Sequence, residues 1–150
     1  MRMVKQSPDS NECGACVVAM LTDRTRDEIL RDVPKPETKA DCFWLQYMQD
    51  RGFTIEDVRD DPGFDRTFAI AGRIFNGHFH LPRRHRYYCT LHAGGRTHAI
   101  AIGEEGLVFD PSTSAPDKAS CTLEEYVRHN HKTFPDIVIS CCYRVRSDRG

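Results

Sequence analysis

The sequence predicts an α+β fold in which helices come first and an antiparallel sheet follows. The first third of the chain carries apolar residues at helical spacing between capping signals, whereas the last third contains short runs that alternate with a period of two. The chain has 150 residues, of which 39% are hydrophobic and 29% are charged, as in ordinary globular proteins. This length suffices for one hydrophobic core, so we expect a single domain over residues 1–150.

The first predicted helix covers residues 13–21, a compact run of small and apolar side chains. Just before it stand Asp9, Ser10 and Asn11, which are residue types that favour turns and helix N-caps. The sequence therefore predicts that one of these three side chains caps the helix.

Two further helices are expected in the first third of the chain. One begins after Thr25, which forms a capping-box pattern with Glu28. The other begins with Asp41 as its predicted N-cap and ends with Gly52 as its predicted C-cap. Its apolar residues lie four apart, so we expect one face of this helix to be buried.

The predicted strands lie mostly in the second half of the chain, and each is short. They are FTIEDV at 53–58, TFAIAGRIF at 67–75, RYYCTLH at 86–92, THAIAIG at 97–103, GLVFD at 106–110 and DIVISCCYRV at 136–145. AGGR and GEEG are expected to form the turns between the third, fourth and fifth of these strands. The segment TLEEYVRHN is expected to be a capped helix before the last strand.

Composition and charge narrow the class of function. Lys and Arg number 21 and Asp and Glu number 22, so the net charge of −1 does not predict a nucleic-acid partner. No apolar stretch approaches the ~20 residues that a membrane-spanning helix needs. The N-terminus lacks the apolar region of a signal peptide and the cysteine count is odd, at seven, so we expect a cytoplasmic protein without a disulfide framework.

Cys13 has the placement of a thiol nucleophile. A cysteine at the N-terminus of a helix faces unpaired backbone N–H groups and the positive end of the helix dipole, and both lower the pKa of its thiol. Gly14 has no side chain, so a substrate backbone can approach the sulfur closely. Cys16 lies one turn further on among apolar residues, and we expect it to pack into the core.

A base and an oxyanion donor for this nucleophile are also available. His98 begins a predicted strand with the small Ala99 beside it, and Asp110 ends the next strand. Because these two strands form a predicted hairpin, His98 and Asp110 are expected at the same end of the sheet, with the carboxylate holding one ring nitrogen. Gln6 can offer its side-chain amide to an oxyanion beside the backbone N–H of Cys13.

The combination of Q, ECGAC, HAIAIG and VFDPS in this order resembles the papain-like peptidases that remove double-glycine leaders from bacteriocins, and their stand-alone relatives. The resemblance implies a papain-like fold, in which N-terminal helices carry the cysteine and a C-terminal antiparallel sheet carries histidine and aspartate. Two features depart from the family pattern. Glu12 stands where an aspartate is usual, and Gln6 lies seven residues before Cys13, where six is commoner.

Carried over residue by residue, the resemblance implies that Cys13 is the nucleophile, His98 the base, Asp110 the residue that orients the imidazole and Gln6 the oxyanion donor. The implied substrate is a peptide or protein with glycine at the two positions before the cut. Gly14 and Ala99 are then expected to line the substrate channel with little more than backbone. Neither a cofactor nor a metal is expected.

Other interpretations of the same residues remain open. The same triad can pass an acyl group to an amine, which would make the protein an acyltransferase. The fold can also serve as a non-catalytic binding or inhibitor module, or CGAC and the CC at 141–142 can belong to a structural zinc site. A thioredoxin-like role is disfavoured because no strand precedes CGAC. The histidine pairs in GHFH and HNH are interpreted as surface residues.

Overall fold

The computed structural model describes residues 1–8, 10–58 and 81–147. The predicted strand at 67–75, the histidines of GHFH and Asp9 lie outside the described residues. The described part is an α+β structure with helices and a five-stranded antiparallel sheet, as the sequence predicted. None of its helices is long and apolar enough to cross a membrane.

Four helices and one short 3₁₀ turn are present in the described residues. They are α1 (Cys13–Leu21), α2 (Arg26–Asp32), the 3₁₀ turn (Pro36–Thr38), α3 (Asp41–Gln49) and α4 (Leu123–His131). The predicted capping box of α2 is confirmed, because the Thr25 hydroxyl accepts from the Glu28 backbone and Glu28 reaches back to the Thr25 N–H. The helix predicted in TLEEYVRHN is confirmed as α4.

The predicted ends of α1 and α3 are wrong in detail. Glu12 is the N-cap residue of α1 and its side chain makes no capping hydrogen bond, so neither Ser10 nor Asn11 occupies the N-cap position. Ala40 is the N-cap of α3, because the Asp41 carboxylate instead accepts a hydrogen bond of 2.7 Å from the hydroxyl of Tyr88. The C-cap of α3 is Asp50, and Gly52 follows with a φ of +88°, where the chain turns into the first strand.

The sheet consists of β1 (Phe53–Asp57), β2 (Arg86–Ala93), β3 (Arg96–Ile102), β4 (Val108–Phe109) and β5 (Val138–Ser147). Their spatial order is β1-β5-β2-β3-β4, so the last strand of the chain lies inside the sheet, between β1 and β2. The predicted β2–β3 and β3–β4 hairpins are confirmed, and the AGGR turn holds both of its glycines at positive φ. β4 is shorter than predicted and ends directly before Asp110.

Helices cover both faces of this sheet. Side chains of α1 and α3 pack with alternate residues of β2 and β3, such as Tyr88 and Ala101, in one core cluster. Leu123 and Val127 of α4 pack in a second cluster with the intervening residues, such as Ile100. Because both faces are covered, the middle of β2 is buried continuously and does not alternate. α1 packs against β3, which brings the start of α1 close to His98.

Candidate active site

Cys13 is the first residue of α1 and is half-buried. Burial by itself disfavours the thiolate, but a hydrogen bond with His98 and the backbone N–H of Ala99 both favour it. Their sum, helped by the N–H of Gly14, lowers the pKa of the Cys13 thiol below its usual value. The Cys13 Sγ also lies 3.9 Å from Oδ1 of Asn11, to which the protonated thiol donates. The donors of His98, Ala99 and Gly14 favour the thiolate, as a thiol nucleophile requires.

His98 connects the thiol to a carboxylate. Its Nε2 lies 2.6 Å from Oδ1 of Asp110, so Nδ1 is the ring nitrogen that remains for Cys13. Burial lowers the pKa of the imidazole, but the hydrogen bonds to Asp110 and Cys13 outweigh burial and raise it to about 10. The predicted meeting of His98 and Asp110 at one end of the sheet is confirmed.

Asp110 follows β4 directly and is almost completely buried, with 8% of its surface exposed. Its Oδ1 also accepts the backbone N–H of Ser112 at 2.9 Å, and its Oδ2 accepts the hydroxyl of Tyr126 at 2.5 Å. Burial raises the pKa of this carboxyl, but His98, Tyr126 and the Ser112 N–H together hold it below its usual range. The carboxylate is therefore ionised and held on both oxygens.

Gln6 connects the segment before Cys13 with the segment after Asp110. Its backbone N–H donates to the carbonyl of Pro111 at 3.0 Å, and its side-chain Nε2 donates to the carbonyl of Ser10 at 3.0 Å. A carboxamide nitrogen carries two hydrogens, so one remains after the bond to Ser10. The role of Gln6 as an oxyanion donor stays a prediction.

The structure gives Gly14 a different reason to lack a side chain. A Cβ at this position would lie 2.4 Å from the indole Nε1 of Trp44, so the glycine is needed for the packing of α1 against α3. The side chain of Ala99 is 2% exposed and belongs to the core, while its backbone N–H faces the Cys13 sulfur. The expectation that Gly14 and Ala99 line a substrate channel with little more than backbone stays a prediction.

The segment before the nucleophile is tied to α2 by contacts that the sequence did not predict. Arg26 donates from Nε to the carboxylate of Glu12 at 2.8 Å and from Nη2 to the Ser7 hydroxyl at 2.6 Å. Glu12, the residue that departs from the family pattern, thus has an ion-pair partner one helix away. The capping box at the start of α2 was the only sequence signal near this contact.

The other cysteines differ from Cys13. Cys16 is fully buried, as predicted, and burial together with the charge of Glu12 raises the pKa of its thiol to about 12. All seven cysteines have free thiols. Within residues 1–8, 10–58 and 81–147, no group of three or more His, Cys, Asp or Glu side chains is arranged to hold a metal ion.

Neither a scan against protein-family models nor a search of curated proteins found a match for this chain. A functional assignment therefore rests on the side chains themselves. Cys13, His98 and Asp110 form a series in which Nε2 of His98 contacts Oδ1 of Asp110 at 2.6 Å. The surroundings lower the pKa of the thiol and raise the pKa of the imidazole. This series can carry out nucleophilic acyl transfer.

Proposed function

We propose that this protein is a thiol-dependent hydrolase that cleaves an amide bond of a peptide or protein substrate through Cys13, His98 and Asp110. The observation that supports this most strongly is the 2.6 Å contact between Nε2 of His98 and Oδ1 of Asp110, beside the thiol that begins α1. The surroundings lower the pKa of the Cys13 thiol and raise the pKa of the His98 imidazole. Such shifts favour a thiolate–imidazolium pair near neutral pH.

In the first half of the proposed reaction, the Cys13 thiolate attacks the substrate carbonyl carbon and a C–S bond forms. The carbonyl electrons move to oxygen, where the backbone N–H of Cys13 and the free N–H of Gln6 stabilise the negative charge. When the C–N bond breaks, the imidazolium of His98 gives its proton to the departing amine. An acyl-enzyme and a neutral imidazole remain.

In the second half, neutral His98 takes a proton from a water molecule as that water attacks the acyl carbon. The C–S bond breaks, the acid leaves and the thiolate–imidazolium pair forms again. Asp110 remains ionised throughout, because its task is to hold the imidazole and stabilise its positive form. The net reaction adds one water to one amide bond.

The architecture also supports the more specific proposal of a papain-like fold. The nucleophile begins a helix of the N-terminal half, the histidine lies on β3, and the aspartate directly follows the neighbouring antiparallel strand β4. We further propose a cytoplasmic location, where reducing conditions would keep the Cys13 thiol free.

Residue-specific labelling tests the nucleophile. Brief treatment with iodoacetamide near pH 6, followed by mass spectrometry, should label Cys13 roughly tenfold or more ahead of the other cysteines. Cys42 is the internal control for accessibility because it is exposed. Equal labelling of Cys13 and Cys42 would reject Cys13 as an activated nucleophile.

Peptide cleavage tests the reaction and its proposed preference. Peptides that end in Gly-Gly before a fluorescent leaving group should be cut much faster than Ala-Ala peptides, because a channel that admits only backbone rejects every Cβ. His98→Ala and Cys13→Ser should abolish cleavage, whereas Cys42→Ser should retain it. Labelling of Cys13 without any cleavage would favour the non-catalytic module, and product formed only with an added amine would favour the acyltransferase.

A further inference from the structure

Tyr126 is a half-buried tyrosine of α4 whose hydroxyl donates to Oδ2 of Asp110 at 2.5 Å. We propose that Tyr126 is a positioning residue of this site, which holds the Asp110 carboxylate so that Oδ1 stays on His98 and thereby sets the pH at which Cys13 becomes a thiolate. This inference rests on the proposed roles of Cys13, His98 and Asp110. Nothing in the sequence pattern assigns Tyr126 to the site.

The two oxygens of the Asp110 carboxylate have different donors. Oδ1 accepts from His98 Nε2 and from the Ser112 backbone N–H, whereas Oδ2 accepts from the Tyr126 hydroxyl. A carboxylate can rotate about its last single bond, and a strong donor on each oxygen opposes that rotation. Loss of the tyrosine hydroxyl would leave Oδ2 in a buried place without this donor, which disfavours the ionised form.

Helix α4 holds Tyr126 in place. The helix begins with a capping box formed by Thr122 and Glu125, and Leu123 and Val127 anchor it in the core. The side chain of Asn130 donates to the backbone carbonyl of Tyr126 at 2.8 Å, one turn further along. Tyr126 therefore approaches Asp110 from a fixed element on the face of the sheet opposite to α1.

The protonation states of Tyr126 and Asp110 also suit a hydrogen bond from the phenol to the carboxylate. Burial and the neighbouring Asp110 raise the pKa of the Tyr126 phenol, so the hydroxyl keeps its proton and acts as a donor. The hydrogen bonds from His98 and Tyr126 lower the pKa of Asp110 against the effect of burial. A further titratable side chain near this carboxyl is Cys121, and burial, Glu125 and Asp110 raise the pKa of its thiol. Cys89 also acts on the Tyr126 phenol, and Lys5 contacts the backbone carbonyl of Asp110.

Asp110 must be ionised to hold the positive charge on His98, and His98 in turn holds the Cys13 thiolate. Loss of the hydrogen bond from Tyr126 to Asp110 should therefore change the pH dependence of Cys13 ionisation. A role of Tyr126 in packing alone would change stability and leave that pH dependence in place.

The test is the rate of Cys13 alkylation by iodoacetamide as a function of pH. In Tyr126→Phe, the acid limb of this profile should move to higher pH by roughly half a unit to one unit, because the Asp110 carboxyl protonates more readily. Tyr87→Phe is the matched control, since Tyr87 is a buried tyrosine whose hydroxyl donates to the Pro82 carbonyl at 2.8 Å. An unshifted limb in Tyr126→Phe, or an equal shift in Tyr87→Phe, would overturn the proposal.

Two further variants test whether the Tyr126 hydroxyl acts through Asp110. Site-specific 3-fluorotyrosine at position 126 keeps the shape of the side chain and makes the phenol a stronger donor, so it should move the limb to lower pH. A shift to higher pH would overturn the proposal, even where Tyr126→Phe fails to fold. In an Asp110→Asn background, Tyr126→Phe should cause no further shift, and an undiminished shift there would overturn it.

The same measurements separate this inference from the proposed function. If the acid limb shifts in Tyr126→Phe but the protein cleaves no peptide, the positioning role of Tyr126 is supported and the hydrolase is rejected. If the protein cleaves peptides but the acid limb does not shift in Tyr126→Phe, the hydrolase is supported and the positioning role of Tyr126 is rejected.

Discussion

The ammonium of Lys5 lies 3.0 Å from the backbone carbonyl oxygen of Asp110, although 105 positions separate the two residues. The same nitrogen donates to the carbonyls of Ser112, Ala115 and Pro116 at 2.9 to 3.1 Å. Four carbonyl oxygens thus surround one cation and fold the segment after β4 around it. The contact also places Gln6, the next residue, beside this segment.

Replacement of Lys5 by methionine should therefore loosen the segment that carries Asp110. Met fills the apolar part of the lysine stem and removes the charge. We expect a loss of about 1–3 kcal/mol in the free energy of unfolding, because charged hydrogen bonds to partly buried groups contribute on this scale. Urea denaturation measures it, and Lys39→Met, at an exposed site over the Phe43 ring, is the control. Equal effects of the two substitutions would show that the carbonyl cluster does not stabilise the fold.

The thiolate–imidazolium pair predicts an unusual pH dependence of stability. Folding raises the pKa of His98 from 6.5 to about 10, and this effect alone stabilises the protein below pH 6.5 and is lost as the pH rises towards 10. Folding lowers the pKa of Cys13 from 9.0, and this effect alone makes stability increase with pH up to about 9. The proton gained by the imidazole and the proton lost by the thiol therefore act on stability in opposite directions.

Cys13→Ser removes the contribution of the thiol to this pH dependence of stability. Because Asp110 still raises the pKa of His98, stability of the variant should fall relative to the wild type between pH 6.5 and 8.5, by at most about 1.4 kcal/mol per pH unit. Urea denaturation at three pH values in this window measures the difference, with Cys42→Ser as the control for loss of a thiol. Parallel curves for Cys13→Ser and the wild type would argue against an ion pair.

Substitution by serine should have different effects at Cys16 and at Cys13. Cys16→Ser places a hydroxyl among apolar side chains, so we expect a loss on the order of 1 kcal/mol in stability with activity retained. Cys13→Ser should fold normally near pH 6.5 and lack activity, since serine is not ionised there. Thermal unfolding and peptide cleavage measure both outcomes. Unfolding of both variants with release of zinc would favour the structural metal site.

Gly14→Ala should destabilise the protein even though alanine is the better helix former. Propensity alone would add about 1 kcal/mol in favour of alanine. The new Cβ would lie 2.4 Å from Nε1 and 2.6 Å from Cδ1 of the buried Trp44 indole, and overpacking of this kind costs about 1–3 kcal/mol. In a Trp44→Phe background the same substitution should cost less. A stabilised Gly14→Ala protein would show that Trp44 moves aside without penalty.

Local sequence signals predicted the elements and the three residues of the candidate triad. The bounds of α1, the capping box at Thr25 and the β3–β4 hairpin depend on neighbours in the chain, and the structure has all three. The hairpin also fixed the meeting of His98 and Asp110, because adjacent antiparallel strands bring such positions together. By contrast, the N-cap of α3 depended on a distant tyrosine, and the prediction of Asp41 failed there.

The sequence by itself determined the α+β class, the helix that begins at Cys13 and the placement of His98 and Asp110 on one hairpin, since these follow from local periodicity and turn chemistry. Only the tertiary structure decided what surrounds them. It placed Tyr126 on the second oxygen of Asp110, Lys5 among the carbonyls that follow, and Trp44 against Gly14. These contacts join residues that are far apart in the chain, and no local pattern encodes them, because packing of α1, α3 and α4 on the two faces of the sheet brings the partners together.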